Sequence, residues 1–297
     1  MFGGLYLGCP QWVQAQWNKS IFPKSSKSRD ALEHYAKVFN TVEGNTTFYA
    51  TPKQNTVNRW VSQTPPSFRF VLKLPQEVTH EKALSPTALE ITQRFLEQMS
   101  PLGERLSYTL IQLPAHFTEK QFDTLYHFLR ALPRQAKDGT PRYYAVELRA
   151  PSLVYPQPQG NGLFEEANAL LSATQTERVW MDTRPLRATS EPLDEATLMA
   201  WQRKPNLPVY PIGLGPAPMV RYVAHPVVEA NRFWLEQWAS TFAQWLKEGR
   251  TPFFFAHYPG ETFAPQVAIL FYQILREKLK ELPDRPLWPS EKQGCLF

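Results

Sequence analysis

The stretch VEGNTTFY, residues 42–49, reads as a short strand that runs directly into polar side chains instead of into a turn. Because side chains alternate along a strand, Glu43 faces the side opposite to Val42 and Gly44. An acidic side chain on a buried face is unfavourable unless it is paired or takes part in a site. Several later strand-like segments also end in a charged or amide side chain. This repetition predicts a barrel with a polar mouth, the end at which barrel enzymes carry their chemistry.

Eight segments of the chain have the pattern of β-strands, and helical patterns lie between most of them. The predicted strands span residues 5–9, 41–45, 68–74, 106–113, 143–148, 178–182, 219–225 and 253–257. The predicted helices span residues 29–39, 53–63, 87–99, 119–132, a segment before Thr176, and residues 194–202, 229–247 and 265–282. This alternation predicts one α/β domain over residues 1–297, a single (β/α)8 TIM-type barrel with eight parallel strands. An open doubly wound sheet is the main alternative, but its typical Gly-rich phosphate loop does not occur in the sequence.

The composition fits a large globular domain with a mild positive charge. The chain has 297 residues, of which 43% are hydrophobic and 20% are charged, so a substantial core is available. The net charge of +5 favours anionic ligands weakly. Basic and acidic residues are interspersed, and no basic run resembles a nucleic-acid-binding arm. We therefore expect a small-molecule ligand and do not expect nucleic acid as a partner.

The two cysteines, Cys9 and Cys295, provide neither a disulfide framework nor a four-ligand zinc site. We interpret Cys9 as a small buried thiol in preference to a nucleophile. The N-terminus does not resemble a signal peptide, and no apolar run approaches the roughly 18 residues that a membrane span needs. These features predict a cytoplasmic protein without a membrane partner, and they leave the oligomeric state open.

Polar side chains at the predicted strand ends form the candidate site, because the C-terminal ends of barrel strands carry the working residues. In chain order these ends carry Gln11 and Trp12, Glu43 and Asn45, Lys73, Gln112, Glu147 and Arg149, Asp182 and Arg184, Arg221 and His225, and His257. Single members also fit a structural role: Glu147 could pair with Arg149 or Arg221 as a core carboxylate. Lys73 could in the same way neutralise Glu43. Desolvation offsets the attraction in buried ion pairs, however, so stability alone does not favour gathering this many charges.

The chemistry of the set indicates acid/base catalysis on a small polar substrate that is anionic or sugar-like. Carboxylates near cations suit proton transfer, because their surroundings move their pKa values apart. The predicted catalytic residues are Glu43, Lys73, Glu147 and Asp182. In this hypothesis Glu43 or Glu147 moves a proton, and Lys73 stabilises developing negative charge. The predicted substrate-binding residues are Trp12, Asn45, Tyr49, Gln112, Arg149, Arg221, His225 and His257. We expect no cofactor, and hydrolase, lyase and isomerase reactions all remain open.

Two other functions compete with this hypothesis. A divalent-metal-dependent phosphoesterase or isomerase could use the oxygen and imidazole donors Glu43, Glu147, Asp182 and His257. Against a metal, the chain has no HExxH ligand pair, and Lys73 and the arginines would compete for the carboxylates. A non-catalytic ligand-binding protein is the third alternative, since a fold does not determine a function. Residues 151–162 are either a lid over the mouth or a tolerated insertion.

Eight motifs follow one another along nearly the whole chain. They are LGCPQW (7–12), VEGNTTFY (42–49), FRFVLKLPQEVTH (68–80), LIQLPAHF (110–117), AVELR (145–149), MDTRPLR (181–187), MVRYVAH (219–225) and PFFFAHYP (252–259). In this order they resemble the YecE-like family, domain of unknown function 72, and its branch with GCPxW, VEGNTTFY and MDTRP. In the commoner branch asparagines stand at the place of His257. The resemblance implies a TIM-type barrel but no reaction, and it adds His80 to the candidate substrate-binding residues.

Overall fold

The computed structural model describes residues 2–19, 21–23, 27–156, 162–190, 194–289 and 291. Eight parallel strands form one sheet that curves into a barrel, and neighbouring strands follow the order β1-β8-β7-β6-β5-β4-β3-β2. The strands are β1 (Tyr6–Gly8), β2 (Thr41–Gly44), β3 (Arg69–Lys73), β4 (Leu106–Gln112), β5 (Tyr144–Glu147), β6 (Glu177–Asp182), β7 (Met219–Val223) and β8 (Phe253–His257). The predicted (β/α)8 TIM-type barrel is confirmed.

Helices follow the strands and cover the outside of the barrel. They are α1 (Ala31–Ala36), α2 (Thr46–Tyr49), α3 (Gln54–Gln63), α4 (Pro86–Gln98), α5 (Phe122–Ala131), α6 (Pro151–Val154), α7 (Leu163–Ala173), α8 (Arg184–Arg187), α9 (Glu195–Arg203), α10 (Arg232–Lys247) and α11 (Ala264–Lys278). A π-helical turn, Glu77–Glu81, follows β3. None of the helices in the described ranges is long and apolar enough to cross a membrane.

Several predicted segments differ in their ends or helix type from what the structure contains. The predicted helix 29–39 begins with a 3-10 turn, Ser28–Asp30, and its α-helical part, α1, is only six residues long. The segment 151–162, predicted to be a lid or an insertion, begins with the short helix α6. Residues 157–161 of that segment lie outside the described residues, so its role stays a prediction.

The lower half of the barrel interior, toward the N-terminal ends of the strands, is an apolar plug. Its residues alternate with outward-facing residues along each strand, as the strand period of two requires. The plug consists of Val71, Tyr108, Leu110, Ala145, Val179, Ala217, Met219, Phe253 and Phe255, with Tyr6 packed against it. All nine plug residues are buried. The plug fills the interior below the strand ends, and a cavity lies above it at the C-terminal mouth.

Between the described residues of β1 and β2, the barrel closes through hydrogen bonds of side chains and backbone in place of a regular ladder. The Tyr35 hydroxyl accepts a hydrogen bond from the Cys9 N–H at 2.7 Å and donates one to the Thr41 carbonyl at 3.0 Å. The Glu43 N–H donates to the Cys9 carbonyl at 3.1 Å. Gly8 permits this approach, because a Cβ there would lie 2.1 Å from the Thr41 carbonyl oxygen. The closure holds Glu43 beside the end of β1, at the mouth.

Candidate active site

The upper half of the barrel interior is polar because, on several strands, the last side chain that points inward is polar, whereas the inward side chain before it is apolar. On β3, Val71 belongs to the plug, and Lys73, two residues later, lines the mouth. On β7 the same step leads from Met219 to Arg221. Steps of two from other plug residues reach Gln112, Glu147 and His257. Strand periodicity alone therefore places these polar groups on the inner face.

Arg221 lies at the centre of a buried ion network. Its guanidinium binds the Glu43 carboxylate through two hydrogen bonds, 2.7 Å from Nε to Oε2 and 2.8 Å from Nη2 to Oε1. Its Nη1 donates a hydrogen bond to Glu147 Oε2. All three side chains are almost inaccessible to water. Because bidentate pairing restricts their orientation, the three side chains form a rigid polar floor above the plug.

The network keeps both carboxylates ionised. Burial disfavours the charged form of Glu43, but Arg221 and Lys73 outweigh burial and hold the pKa of that carboxyl well below its usual range. The same balance applies to Glu147, where Arg221 and Arg149 outweigh burial and lower the pKa. Burial also opposes the charge of Arg221, and the two carboxylates raise its pKa nevertheless. Neither carboxylate is therefore suited to accept a proton near neutral pH.

Lys73 is a buried amine beside the network. Its Nζ donates a hydrogen bond to Gln112 Oε1 at 2.9 Å and lies 3.4 Å from Glu43 Oε1. The centre of the Phe48 ring lies 5.6 Å from the same nitrogen. Burial, together with the positive charge of Arg221, lowers the pKa of Lys73 to about 7. A substantial fraction of the Lys73 amine is consequently neutral at neutral pH.

His257 lies between two carboxylates. Its Nε2 is 3.3 Å from Glu43 Oε2, and its Nδ1 is 3.7 Å from Glu261 Oε1. Glu261 lines the cavity and was not among the predicted site residues. It lies in the turn after β8, where its Oε2 accepts a hydrogen bond from the Tyr258 N–H at 3.0 Å. The imidazole therefore connects the buried network with the cavity rim.

A positively charged cavity of about 430 Å³ opens above the network. This volume lies in the range of small-molecule sites. Its basic lining residues are Lys73, Arg149, Arg203, Lys204 and Arg221, and Glu261 is the acidic residue among the described lining. Glu43 and Glu147 beneath the lining neutralise two further charges, so a positive surplus remains when the lysines are protonated. A surplus of this kind attracts anionic ligands.

Lys204 enters the cavity from the connection between β6 and β7, and the sequence analysis did not identify it. It follows α9, which packs against the turn Pro259–Glu261 at the mouth. Burial, together with the charge of Arg221, lowers the pKa of Lys204 to about 8. The available sequence signal was a pair of basic residues, Arg203 and Lys204, at the end of a predicted helix. Strand periodicity does not predict the direction of such side chains, because these residues do not belong to a strand.

Two residues of the cavity wall carry polar atoms without a protein partner. Arg149 Nε lies 3.3 Å from Glu147 Oε1, but the two atoms are not aligned for a hydrogen bond, and each is buried without a partner among the described residues. Asn45 Nδ2 donates to the Pro10 carbonyl at 3.0 Å, whereas its Oδ1 is buried and unpaired there. Buried polar atoms are normally satisfied, so these unpaired atoms mark a part of the cavity wall that the described residues leave unsatisfied.

The structure brings most of the predicted site residues together at the mouth. The cavity lining or the network beneath it contains Glu43, Asn45, Tyr49, Lys73, Gln112, Glu147, Arg149, Arg221 and His257. Tyr49 forms part of the rim, where 79% of its surface is exposed. The predicted roles of these residues stay predictions, but their proximity to one cavity agrees with a single site.

Asp182 points away from this site, into the helical layer. It shares the outward face of β6 with Trp180. Its carboxylate accepts hydrogen bonds from the Arg184 side chain at 2.9 and 2.8 Å and from Trp238 Nε1 in α10 at 2.8 Å. The structure thus corrects the expected position of Asp182 at the mouth. The cause is strand alternation, because the last residue of β6 falls on the outward face.

Three further predicted residues also lie outside the cavity lining. Trp12 packs edge-on against Trp60 in the outer core, with ring centres 5.3 Å apart. His225 accepts a backbone hydrogen bond within the loop that follows β7. His80 lies in the π-helical turn after β3, where it contacts the ring of Phe48, a cavity residue. In all three cases the chain has left the strand, so strand periodicity no longer sets the direction of the side chain.

The donors that a metal site would need are not assembled in the described part of the chain, where no three His, Cys, Asp or Glu side chains are placed to hold a metal ion. Glu43 and Glu147 bind Arg221, and Asp182 lies in the helical layer. The thiol of Cys9 is buried, and burial raises its pKa well above the usual value. Such a thiol is a poor nucleophile.

Comparisons with known proteins agree with the motif-based resemblance. The family model described as "Protein of unknown function DUF72" matches residues 6–293. The UPF0759 protein YecE of Escherichia coli (strain K12) is 35% identical over 294 residues, which cover 99% of this chain and 100% of that protein. The UPF0759 protein YunF of Bacillus subtilis (strain 168) is 28% identical over 127 residues, which cover 41% of this chain and 44% of that protein.

Solved structures with the same fold are similar over most of the chain. A DUF72 family protein from Enterococcus faecalis V583 aligns with a TM-score of 0.64 at 19% identity, covering 95% of this chain and 98% of that one. A DUF72 family protein from Thermotoga maritima MSB8 aligns with a TM-score of 0.62 at 22% identity, covering 93% and 99%. At these identities the likeness supports the fold alone. On the family match and the identity with YecE, the chain belongs to the DUF72 family of proteins of unknown function.

Proposed function

We propose that the cavity is the active site of an enzyme that binds a small anionic substrate and uses the amines of Lys73 and Lys204 for acid/base chemistry. The observation that carries the proposal is a buried amine, Lys73, with a pKa of about 7 at the floor of a positively charged cavity. Acid/base groups work best when their pKa lies near the working pH. Lysines with pKa values lowered by burial are used as bases and nucleophiles.

In this proposal Glu43 and Glu147 hold other groups in position and do not exchange protons with the substrate. The sequence-based hypothesis assigned proton transfer to one of these carboxylates and charge stabilisation to Lys73. Both carboxylates are bound by Arg221, and their pKa values are lowered. The amine of Lys73, by contrast, loses its proton near neutral pH. The assignment is therefore reversed, and the network orients the reactive amine.

Arg149, Arg203 and Lys204 hold the anionic group of the substrate. Arginine offers paired donors that match carboxylate and phosphate oxygens. Negative charge that develops on the substrate after proton removal is stabilised by the same cations. Removal of a proton next to a carbonyl or carboxylate group starts many isomerase and lyase reactions. These classes fit the cavity better than hydrolysis by a carboxylate pair, because Glu43 and Glu147 are both bound by Arg221.

Deuterium exchange into small anionic compounds tests the proposal. Oxo acids, hydroxy acids and sugar phosphates are incubated singly with the protein in D2O, and NMR follows the loss of each C–H signal. We expect exchange for at least one of these compounds and loss of that exchange in Lys73→Met. In the unchanged protein the exchange should slow below pH 7, because Lys73 then takes up a proton.

The matched control is Lys37→Met, because Lys37 is an exposed lysine whose Nζ lies 2.7 Å from Glu33 Oε1. This variant should exchange protons as the unchanged protein does. Exchange that persists in a folded Lys73→Met variant would place the proton transfer on another group. Tight binding of a compound with no exchange at all would instead support the non-catalytic ligand-binding alternative.

A further inference from the structure

Building on the proposed function, we infer that Lys73 forms a covalent imine with its substrate, and that this substrate is a small aldehyde or ketone carrying a carboxylate or phosphate group. Two primary amines line one cavity, Lys73 at the floor and Lys204 at the wall. Arginines line the same cavity. A lysine that is neutral near physiological pH is a nucleophile toward carbonyl carbon, and a neighbouring cation favours that neutral form.

The surroundings of Lys73 Nζ suit attack on a carbonyl group. Gln112 Oε1 at 2.9 Å and Glu43 Oε1 at 3.4 Å occupy two directions around the nitrogen. A neutral amine that donates its two N–H groups to these acceptors keeps its lone pair for a third direction. Lys73 lines the cavity, so this direction is open to a bound substrate. The nearby Phe48 ring limits hydration of the amine and so preserves its nucleophilicity.

Imine formation here balances without an oxidant or a reductant. The Lys73 lone pair forms a C–N bond to the carbonyl carbon, the carbonyl oxygen takes up a proton, and the nitrogen loses one. The resulting carbinolamine then loses its hydroxyl group, which leaves as water with a second proton while the C=N bond forms. Lys204 is the donor of this proton, because its pKa of about 8 leaves it largely protonated at pH 7. Lys204 lines the same cavity as Lys73, so a bound substrate can contact both amines.

The substrate class follows from the two kinds of group that the cavity combines. An imine requires an aldehyde or a ketone, and the guanidinium groups of Arg149 and Arg203 require an anionic group on the same molecule. The protonated imine withdraws electrons from the adjacent carbon and makes its C–H bond more acidic. Lys204, neutral after it has protonated the leaving hydroxyl, removes that proton. The imine therefore gives the two lysines separate roles, with Lys73 as the nucleophile and Lys204 as the proton donor and base.

Reductive trapping tests the imine. The full chain is incubated at pH 8 with pyruvate, glyoxylate or dihydroxyacetone phosphate, and sodium cyanoborohydride supplies the hydride that converts C=N into a stable amine. Peptide mass spectrometry then locates the labelled lysines. An unperturbed lysine has a pKa of about 10.4 and is less than about 1% neutral at pH 8. We therefore expect Lys73 to be labelled at least about tenfold faster than the exposed Lys37 with at least one probe.

Two measurements make the result specific to this site. In Lys73→Arg the charge is kept, and no other lysine should be labelled as fast as Lys73 is in the unchanged protein, while the label at Lys37 is unchanged. In the unchanged protein, added inorganic phosphate should slow the labelling of Lys73 and not of Lys37, because phosphate competes for the cationic wall. This second measurement does not depend on the folding of a variant.

The possible failures separate the imine from the proposed function. Labelling of Lys73 no faster than that of Lys37 with all three probes overturns the imine. If pyruvate or dihydroxyacetone phosphate still binds in calorimetry and shows exchange that depends on Lys73, the acid/base function stands without a covalent intermediate. If none of the probes binds, exchanges or labels, the imine is overturned, and the proposed function then depends on the hydroxy acids and the other sugar phosphates of the exchange experiment.

Discussion

The lower and upper halves of the barrel interior are built by the same strands but have opposite energetics. In the lower half, plug residues such as Leu110 and Phe255 remove apolar surface from water, which stabilises the fold. Two residues further along the same strands, Gln112 and His257 belong to a layer of polar and charged side chains whose burial is unfavourable by itself. A step of roughly 7 Å along a strand therefore leads from the apolar plug, which stabilises the fold, to the polar layer that lines the candidate site.

The charged layer persists because its members neutralise one another. Arg221 binds both Glu43 and Glu147, and all three are buried. A buried ion network of this kind contributes little net stability, but losing one member is costly because the remaining charges stay buried. The comparison thus predicts that substitutions in the two halves lower the free energy of unfolding with a different dependence on pH.

Removal of the central cation should have the largest effect. Arg221→Met leaves Glu43 and Glu147 buried without their main counter-ion, and we expect the free energy of unfolding to fall by about 3–5 kcal/mol. Urea denaturation at pH 7 measures this loss. The loss should shrink toward pH 5, because unpaired buried carboxylates have raised pKa values and become neutral by binding protons.

The control for this prediction is Lys37→Met, which removes an ion pair that is exposed to solvent. Exposed pairs contribute less than about 1 kcal/mol, so this variant should remain close to the unchanged protein. A loss in Arg221→Met that is the same at pH 5 and pH 7 would mean that packing, and not unpaired charge, causes the destabilisation.

A cavity in the plug should produce the second largest effect and leave the mouth unchanged. Leu110 is fully buried, and Leu110→Ala should lower the free energy of unfolding by about 2–5 kcal/mol through lost contacts and the space left behind. The loss should not vary between pH 5 and pH 8, since no charge is involved. Phosphate affinity measured by calorimetry should be unaffected. Weaker binding in this variant would show that the two halves are coupled.

Replacement of the buried lysine should give the smallest effect at pH 7 and a distinctive dependence on pH. The pKa of Lys73 is about 7 in the folded protein, below the value of about 10.4 for an unfolded lysine, so folding disfavours its proton. The stability of the unchanged protein relative to Lys73→Met should therefore rise between pH 7 and pH 10, by at most about 1.4 kcal/mol per pH unit. Urea denaturation of both proteins across this range measures the difference. A constant difference would contradict the lowered pKa.

Strand periodicity explains why much of the site could be predicted. Glu43, Lys73, Glu147 and Arg221 lie on strands, where successive side chains point to opposite faces, so each shares a face with the residue two positions before it. The alternation of strands and helices likewise determines the parallel barrel. Asp182 shows the limit of this reasoning. Its strand was recognised, but its position on the outward face beside Trp180 was overlooked.

The sequence by itself determined the barrel, through its alternation of strands and helices, and the polar layer, through the local period of two along each strand. Tertiary structure alone decided that Lys204 and Glu261 join the cavity, since their positions depend on how the connections after β6 and β8 cross the mouth. It also decided that the pKa of the Lys73 amine is lowered. The pKa of Lys73 depends on burial and on the positive charge of Arg221, a residue distant in sequence. No local sequence pattern predicts the electrostatic effect of so distant a residue.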